Sequence, residues 1–194
     1  GLLRKRRYHA LLTCATRPPT GRVVLLNGFD AWAETSAGTT ALSAQCYAPD
    51  VVHPDGAAHV VAFEAAPWPR WTFDLDDGTE VVQELSAVHG TSAVALTFHL
   101  ARPGTSATLT VRPLLSGRDH HALHRENGAF RFDPVATAGG LLFRPYEGVP
   151  GVLVRSNGRY QHQPEWYRNF LYLDERARGL DHVEDLASPG VLTF

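Results

Sequence analysis

The chain has 194 residues and a formal net charge of −2, so its charge gives no reason to expect a nucleic acid or an anionic membrane as a partner. A chain of this length can bury a sizeable core without a disulfide or a structural metal. Its two cysteines, Cys14 and Cys46, have no C-x-x-C spacing, so we expect free thiols in the cytoplasm, a reducing compartment. No apolar run approaches the roughly 20 residues of a membrane span. Because the chain starts without Met and stops in mid-pattern, we expect it to be one domain of a longer protein.

Apolar and polar residues alternate with a period of two along most of the chain, which is typical of strands with one buried face. In chain order, the strand candidates are RVVLLNGF (22–29), AHVVAFEA (58–65), RWTFDLDDG (70–78), TEVVQELSAVHG (79–90), SAVALTFHLAR (92–102), ATLTVRPLL (107–115), GAFRF (128–132), LLFRPY (141–146) and GVLVRSNGRYQHQ (151–163). No segment sustains a period of 3.6 residues, which argues against alternating β–α–β units.

Turn signals separate these candidates, at Asp76–Thr79 (DDGT), Ala101–Ser106 (ARPGTS) and Ser156–Gly158 (SNG). The segment PEWYRNFLYLDERARG (164–179) fits either a helix or a strand, and we expect a strand followed by irregular structure. The sequence therefore predicts an all-β fold, a large antiparallel β-sandwich that forms a single domain over residues 1–194.

The segment RPLLSGRDHHALHREN, Arg112–Asn127, concentrates histidines, arginines and acidic residues between two apolar segments. On a helix, His120 and His124 would share a face and Asp119 could add an oxygen ligand for zinc, but no H-E-x-x-H or Cys partner accompanies them. A solvated polar loop is a second interpretation. A third is a surface that binds sugar hydroxyls or a partner domain, and its donors and acceptors would be Arg118, Asp119, His120 and His121.

A second polar cluster, PEWYRNF at Pro164–Phe170, places aromatic rings beside Arg and Asn. A flat apolar face with hydrogen-bonding groups at its edge is what a sugar subsite requires, although the aromatic residues could equally belong to the core. Glu184 and Asp185 are adjacent, so on a strand they would point to opposite faces and could not act as a glycosidase pair. The binding candidates here are Trp166, Tyr167, Arg168, Asn169 and Asp185.

A third cluster, RRYHALL at Arg6–Leu12, adds Tyr8 and His9 as candidates, with a solvated basic face as the alternative. The chain has no G-x-S-x-G, no phosphate-binding glycine loop and no Cys–His pair at an interpretable spacing. The residues alone therefore indicate a β-sandwich with a polar, aromatic-rich face.

Taken in order, RRYHALL, RPPTGRVVLL, VHPDG, RPLLSGRDHHALHREN and WYRNF…ERARGLDHVEDLASPGVLTF strongly resemble the N-terminal domain of bacterial and archaeal glycogen debranching enzymes. The likeness covers about Arg6 to Phe194, and its most specific parts are the WYRNF…E…RGLD…EDL…SPG tail and the R-D-x-H…HREN segment. One departure is Ala10, where the family more often has Gly.

The resemblance implies a β-supersandwich that precedes the (α/α)6 catalytic barrel of an amylo-α-1,6-glucosidase. It also implies that this domain recognises an α-glucan, such as glycogen or a branched dextrin, and packs against its own C-terminal catalytic domain. No catalytic residue, metal or cofactor is expected here, because the acid and base of such enzymes lie on the barrel. The alternatives are a histidine-based metal-binding enzyme and a purely structural spacer.

Overall fold

The computed structural model describes residues 2–17, 20–102 and 106–194. The strands of the first half are β1 (Leu12–Arg17), β2 (Gly21–Thr35), β3 (Gly38–Ala41), β4 (Ala44–Tyr47), β5 (Val51–Asp55), β6 (Val60–Glu64), β7 (Arg70–Asp74), β8 (Glu80–Ala87) and β9 (Val94–Arg102). The second half contains β10 (Thr108–Asp119), β11 (Val135–Thr137), β12 (Gly140–Phe143), β13 (Val152–Val154), β14 (Arg159–Leu171), helix α1 (Leu173–Ala177) and β15 (Val183–Thr193). A short 3-10 helix, Gly56–His59, joins β5 to β6.

The strands form several antiparallel sheets, and 57% of the described residues are strand against 5% helix, which confirms the all-β prediction. The largest sheet has the order β1-β2-β10-β15-β14-β4-β5, with β3 paired to β2. A second sheet has the order β6-β7-β8-β9 and a third has the order β11-β12-β13. The last strand in the chain, β15, therefore lies inside the largest sheet, between β10 and β14.

One side of the core joins the largest sheet to the β6–β9 sheet. Ala31 and Val111 of the largest sheet pack with Trp71, Phe73 and Val81 of the smaller one, all of them buried. Because these residues alternate with polar ones along their strands, each sheet presents one apolar face. Two packed antiparallel sheets are the sandwich that the alternation predicted.

The β11–β13 sheet covers another part of the largest sheet. Phe143 of β12 and the buried Phe130 pack with Leu115 of β10 and Ala187 of β15, and Trp166 of β14 adjoins them. A further apolar cluster joins β10, β14 and β15 through Leu114, Phe170 and Leu186.

The strand predictions differ from the structure in a few places. GAFRF is not a strand; its alternation arises because the side chains of Phe130 and Phe132 pack on Trp166. DDGT forms the β7–β8 turn, with Gly78 at a φ of 78°. The turn at Ser156–Gly158 carries the chain from β13 in one sheet to β14 in another, and part of the ARPGTS turn lies outside the described residues. The ambiguous segment is a strand, as expected, but the short helix α1 follows it.

In the described residues, no helix is long and apolar enough to cross a membrane. Cys14 and Cys46 are both free thiols, as their spacing predicted.

Candidate functional site

The N-terminal segment before β1 is held against the rest of the domain by Arg7. Its guanidinium donates hydrogen bonds to the backbone carbonyls of His121 and Asp181, and each donor–acceptor distance is 2.7 Å. Its backbone N–H donates a hydrogen bond of 3.3 Å to the buried carboxylate of Glu175 in α1. These bonds connect segments that are far apart in sequence, and they fix the position of the next residue, Tyr8.

A bulge in β10 turns Arg118 into the interior. The register between β10 and β2 shifts between Leu115 and Arg118, and Gly117 lies there with a φ of 80°, a conformation that costs other residues free energy. A side chain at Gly117 would also lie 3.0 Å from Pro145 and Tyr146. The glycine therefore permits both the bulge and the close approach of the segment that holds Tyr146.

Arg118 and Glu184 form an ion pair whose side chains are only 3% and 0% exposed. Glu184 also accepts a hydrogen bond from the Tyr172 hydroxyl and one from the His124 backbone N–H at a distance of 3.0 Å. Burial raises the pKa of Tyr172, so its hydroxyl remains protonated and available as a donor. Almost every lone pair of this buried carboxylate is therefore matched by a donor, which is the condition under which a charge can remain inside a protein.

The remaining donors of Arg118 bind the domain itself. Its guanidinium reaches the backbone carbonyls of Arg7 (2.7 Å), Asp119 (3.1 Å) and His120 (3.3 Å). The structure thus differs from the expectation that Arg118 presents donors to a sugar or a partner domain. The reason is physical, because an unpaired Glu184 at this depth would be far more costly than the loss of one surface donor.

Three of the predicted residues form one cluster at the surface, which we name the Tyr8 cluster: the exposed Tyr8 and His121 and the partly buried His120. The Tyr8 hydroxyl lies 3.1 Å from Nδ1 of His121, and the two histidine rings have centroids 3.8 Å apart. Tyr8 is 42% exposed, and the Arg6 guanidinium lies 5.2 Å from the centre of its ring. Asp119 supports the cluster, because its Oδ1 accepts the His121 backbone N–H over 2.8 Å.

The Tyr8 cluster borders an open groove of about 540 Å³, named here the Tyr8 groove. Its lining is Tyr8, Thr13, Ala15, Arg22, Val24 and His120. The groove combines an aromatic ring, small apolar side chains, and hydroxyl, guanidinium and imidazole groups that can form hydrogen bonds. Partial burial and the neighbouring His121 lower the pKa of His120, so the imidazole is neutral at pH 7 and able both to donate and to accept.

The third histidine of the segment Arg112–Asn127, His124, is buried and has a structural role. Its Nδ1 lies 3.0 Å from the Asp185 carbonyl and its Nε2 lies 2.6 Å from the Tyr146 hydroxyl. Since a carbonyl only accepts, Nδ1 carries the proton and Nε2 accepts from Tyr146. Burial lowers the pKa of His124, which agrees with a neutral imidazole. Its ring lies 5.2 Å from the ring of Trp166, at a tilted angle.

Trp166 and Arg168 both lie on β14, and the ring of Trp166 contacts that of His124 in this buried network. Trp166 is partly buried, with its ring 5.2 to 5.9 Å from the rings of His124, Phe130 and Phe132. Arg168 is exposed and forms a two-pronged ion pair with Glu126, in which one of the two bonds measures 2.9 Å. Trp166 therefore contributes to packing, and Arg168 has a partner within the domain.

The remaining candidates are dispersed. Tyr167 packs with the apolar cluster of Leu114, and the Arg112 guanidinium covers its ring at 4.7 Å. Asp185 is 9% exposed and accepts the backbone N–H groups of Glu126 (3.1 Å) and Asn169 (3.0 Å).

Asn169 itself lies in a bulge of β14 with a φ of 66°. His9 turns back toward its own segment, because its Nδ1 lies 3.3 Å from the Lys5 backbone N–H.

The structure brings Tyr8, Asp119, His120 and His121 together, although the sequence placed them in two separate clusters. Among the described residues, no hydrogen bond, ion pair or ring contact joins them directly to Trp166 or Arg168. Sequence reasoning missed the groove-lining Arg22 and the central role of Glu184. Two charged residues, Glu184 and Asp185, in the mostly apolar run VEDLASPGV were the signal for Glu184, since a charge in a buried strand requires a partner.

The geometry does not favour the metal alternative. His120 and His124 do not share a helix face, and both ring nitrogens of His124 have partners. Throughout the part of the chain that the structure describes, no group of three or more His, Cys, Asp or Glu side chains could hold a metal ion.

Comparison with known proteins identifies the family. No curated protein and no solved structure matches the chain significantly. The protein family described as glycogen debranching enzyme N terminal matches residues 2–194, which is nearly the whole chain. The order of the motifs, the all-β architecture and this match agree, and the chain belongs to the glycogen debranching enzyme N-terminal family.

Proposed function

We propose that this domain is a non-catalytic part of an amylo-α-1,6-glucosidase that works in the cytoplasm, and that it recognises α-glucan and packs against the catalytic domain of the same protein. The observation that carries the proposal is the Tyr8 groove. Its aromatic ring can stack on the apolar face of a pyranose, while Arg22, His120 and Thr13 can bond the hydroxyl groups at the ring edge.

The carboxylates support a non-catalytic role. Glu184 is buried against Arg118, and Asp185 is occupied by backbone N–H groups. A glycosidase requires two carboxyl groups that flank an accessible glycosidic bond, and this adjacent pair is neither accessible nor opposed.

The test is the affinity of the 194-residue chain for glycogen, measured by affinity electrophoresis. Tyr8→Ala should weaken apparent binding by about tenfold, which corresponds to ~1.4 kcal/mol and is of the order of one lost stacking contact. Trp68→Ala is the matched control, because Trp68 is 44% exposed against 42% for Tyr8 but lies outside the groove. A wild-type chain that does not bind glycogen would support the spacer role and refute the proposal.

A further inference from the structure

A second groove, of about 570 Å³, lies beside β14 and the segment that follows His124; we name it the Phe132 groove. Its floor is apolar. Phe132 is half-buried, with its ring 4.8 Å from Phe130 and 5.9 Å from Trp166, whereas Val135 is 56% exposed. The rings behind Phe132 hold it in place, so the apolar surface exists before any ligand arrives.

Hydrogen-bonding groups surround this floor. The exposed Asp133 carboxylate lies 3.5 Å from Nε2 of His162, and Nδ1 of His162 lies 2.9 Å from the Tyr160 hydroxyl. The Arg144 guanidinium is exposed on the same groove. Carboxylate, imidazole and guanidinium groups can each engage neighbouring hydroxyl groups of a sugar.

The charges at the Phe132 groove balance. Arg131 pairs with Glu147 over 3.3 Å, and Arg144 and Asp133 carry opposite charges on the groove wall. A groove without excess positive charge gives no advantage to phosphate or carboxylate ligands. An apolar floor with a neutral polar rim instead favours an uncharged, polyhydroxylated ligand.

The two grooves are separate surfaces. In the described residues they share no lining side chain. The Tyr8 groove is built mainly on β1 and β2, whereas the Phe132 groove is built on β14, the start of β11 with the segment before it, and Arg144 after β12. A polymer with many identical chain ends can occupy both at once, which raises its apparent affinity without any new kind of contact.

We propose that the Phe132 groove is a second α-glucan site, so that one domain attaches to a branched polymer at two points. The class of ligand rests on the proposed function, whereas the existence of a second site rests on the groove itself.

Calorimetric titration of the 194-residue chain with maltoheptaose tests this inference through the stoichiometry. Wild type should bind two oligosaccharides. Val135→Glu places a charge on the exposed floor and should reduce the number to one, and Arg144→Ala should weaken that same site. Leu153→Glu is the control, because Leu153 is also exposed (45%) on the β11–β13 sheet but does not line the groove. Thermal melting of each variant verifies that it is folded.

The outcomes separate the two proposals. One bound oligosaccharide, bound about tenfold more weakly by Tyr8→Ala and equally well by Val135→Glu, overturns the second site and leaves the proposed function intact. No binding overturns both. With two sites, the apparent affinity of Val135→Glu for glycogen should fall by about a hundredfold, since avidity is lost, while its affinity for maltoheptaose at the Tyr8 groove should be unchanged.

Discussion

At the scale of single residues, Arg118 and Glu184 are the most constrained pair in the domain. Both side chains are buried, and together they bond groups from four other segments. Arg118 donates to the carbonyl of Arg7 before β1, and Glu184 accepts from Asn27 in β2, His124 and Tyr172. The pair therefore ties the N-terminal segment to the interior of the largest sheet. It also sets the position of the turn from which His120 and His121 project.

Loss of one partner should be costly. We expect Arg118→Ala to lower the free energy of unfolding by about 3–5 kcal/mol, because Glu184 would remain buried without its counter-charge. Chemical denaturation followed by tryptophan fluorescence measures this. The control is Arg168→Ala, which removes an ion pair with Glu126 whose side chains are 52% and 40% exposed, so the loss of stability should be far smaller. Equal losses of unfolding free energy in the two variants would show that burial does not determine how much an ion pair contributes to stability.

Asn169 supplies a second prediction at this scale. Its φ of 66° lies in the left-handed region, where a β-branched side chain is disfavoured by about 1–2 kcal/mol. Asn169→Val should therefore destabilise the domain by about that amount, and Asn169→Gly should be nearly neutral. Urea denaturation of both variants makes the comparison. If Asn169→Gly were as unstable as Asn169→Val, the exposed side chain, and not the backbone, would be the important feature.

At the scale of elements, the segment between β10 and β11 is attached to β15 without being a strand. His124 and Asp185 exchange two hydrogen bonds, from Asp185 N–H to the His124 carbonyl (2.9 Å) and from His124 Nδ1 to the Asp185 carbonyl (3.0 Å). Tyr146 then joins this segment to the chain that follows β12. A neutral imidazole thus connects three elements.

That connection should depend on pH. Because the pKa of His124 is lowered by folding, the unfolded chain binds the proton more readily, and the His124 contribution is complete above the ordinary pKa of 6.5. It is lost as the pH falls below 6.5 toward the lowered folded value. Protonation also removes the lone pair that accepts the Tyr146 hydroxyl.

The measurement is the free energy of unfolding of wild type and His124→Gln between pH 7.5 and 5. Wild type should lose stability more steeply on acidification than the variant does. The comparison is needed because the pKa values of His9 and His120 are lowered as well, so both contribute to the wild-type slope. Identical slopes would mean that His124 does not titrate in this range.

Sequence patterns were informative about elements where one face of a strand is buried against another sheet. The alternation in β7, β8 and β9 follows directly from the apolar contacts of Phe73, Val81 and Leu96. The strand prediction for GAFRF was wrong because an irregular segment can show the same alternation. Its two phenylalanine rings pack on Trp166, although the segment forms no strand. The Tyr8 cluster depended on contacts between residues more than 110 positions apart, and no local pattern encodes such contacts.

At the scale of the whole molecule, the enclosure of Glu184 and Asp185 leads to a prediction of inactivity. The 194-residue chain should release no glucose from panose, maltodextrin or limit dextrin in a coupled glucose assay. Glu184→Gln and Asp185→Asn preparations serve as comparisons. Turnover that survives repurification and disappears in one of these variants would assign catalysis to this domain.

The place of β15 has a consequence for synthesis on the ribosome. β10 and β14 leave the exit tunnel before their shared partner β15 does, and at roughly 5–20 residues per second this delay lasts for seconds. During that time both strands expose unpaired backbone groups and apolar side chains. The buried polar pair must wait as well, because Glu184 is on the late strand and Arg118 on the early one. Nascent chains of this domain should therefore depend on chaperone protection until β15 has emerged, and the closure of the largest sheet should be the last step of folding rather than the first.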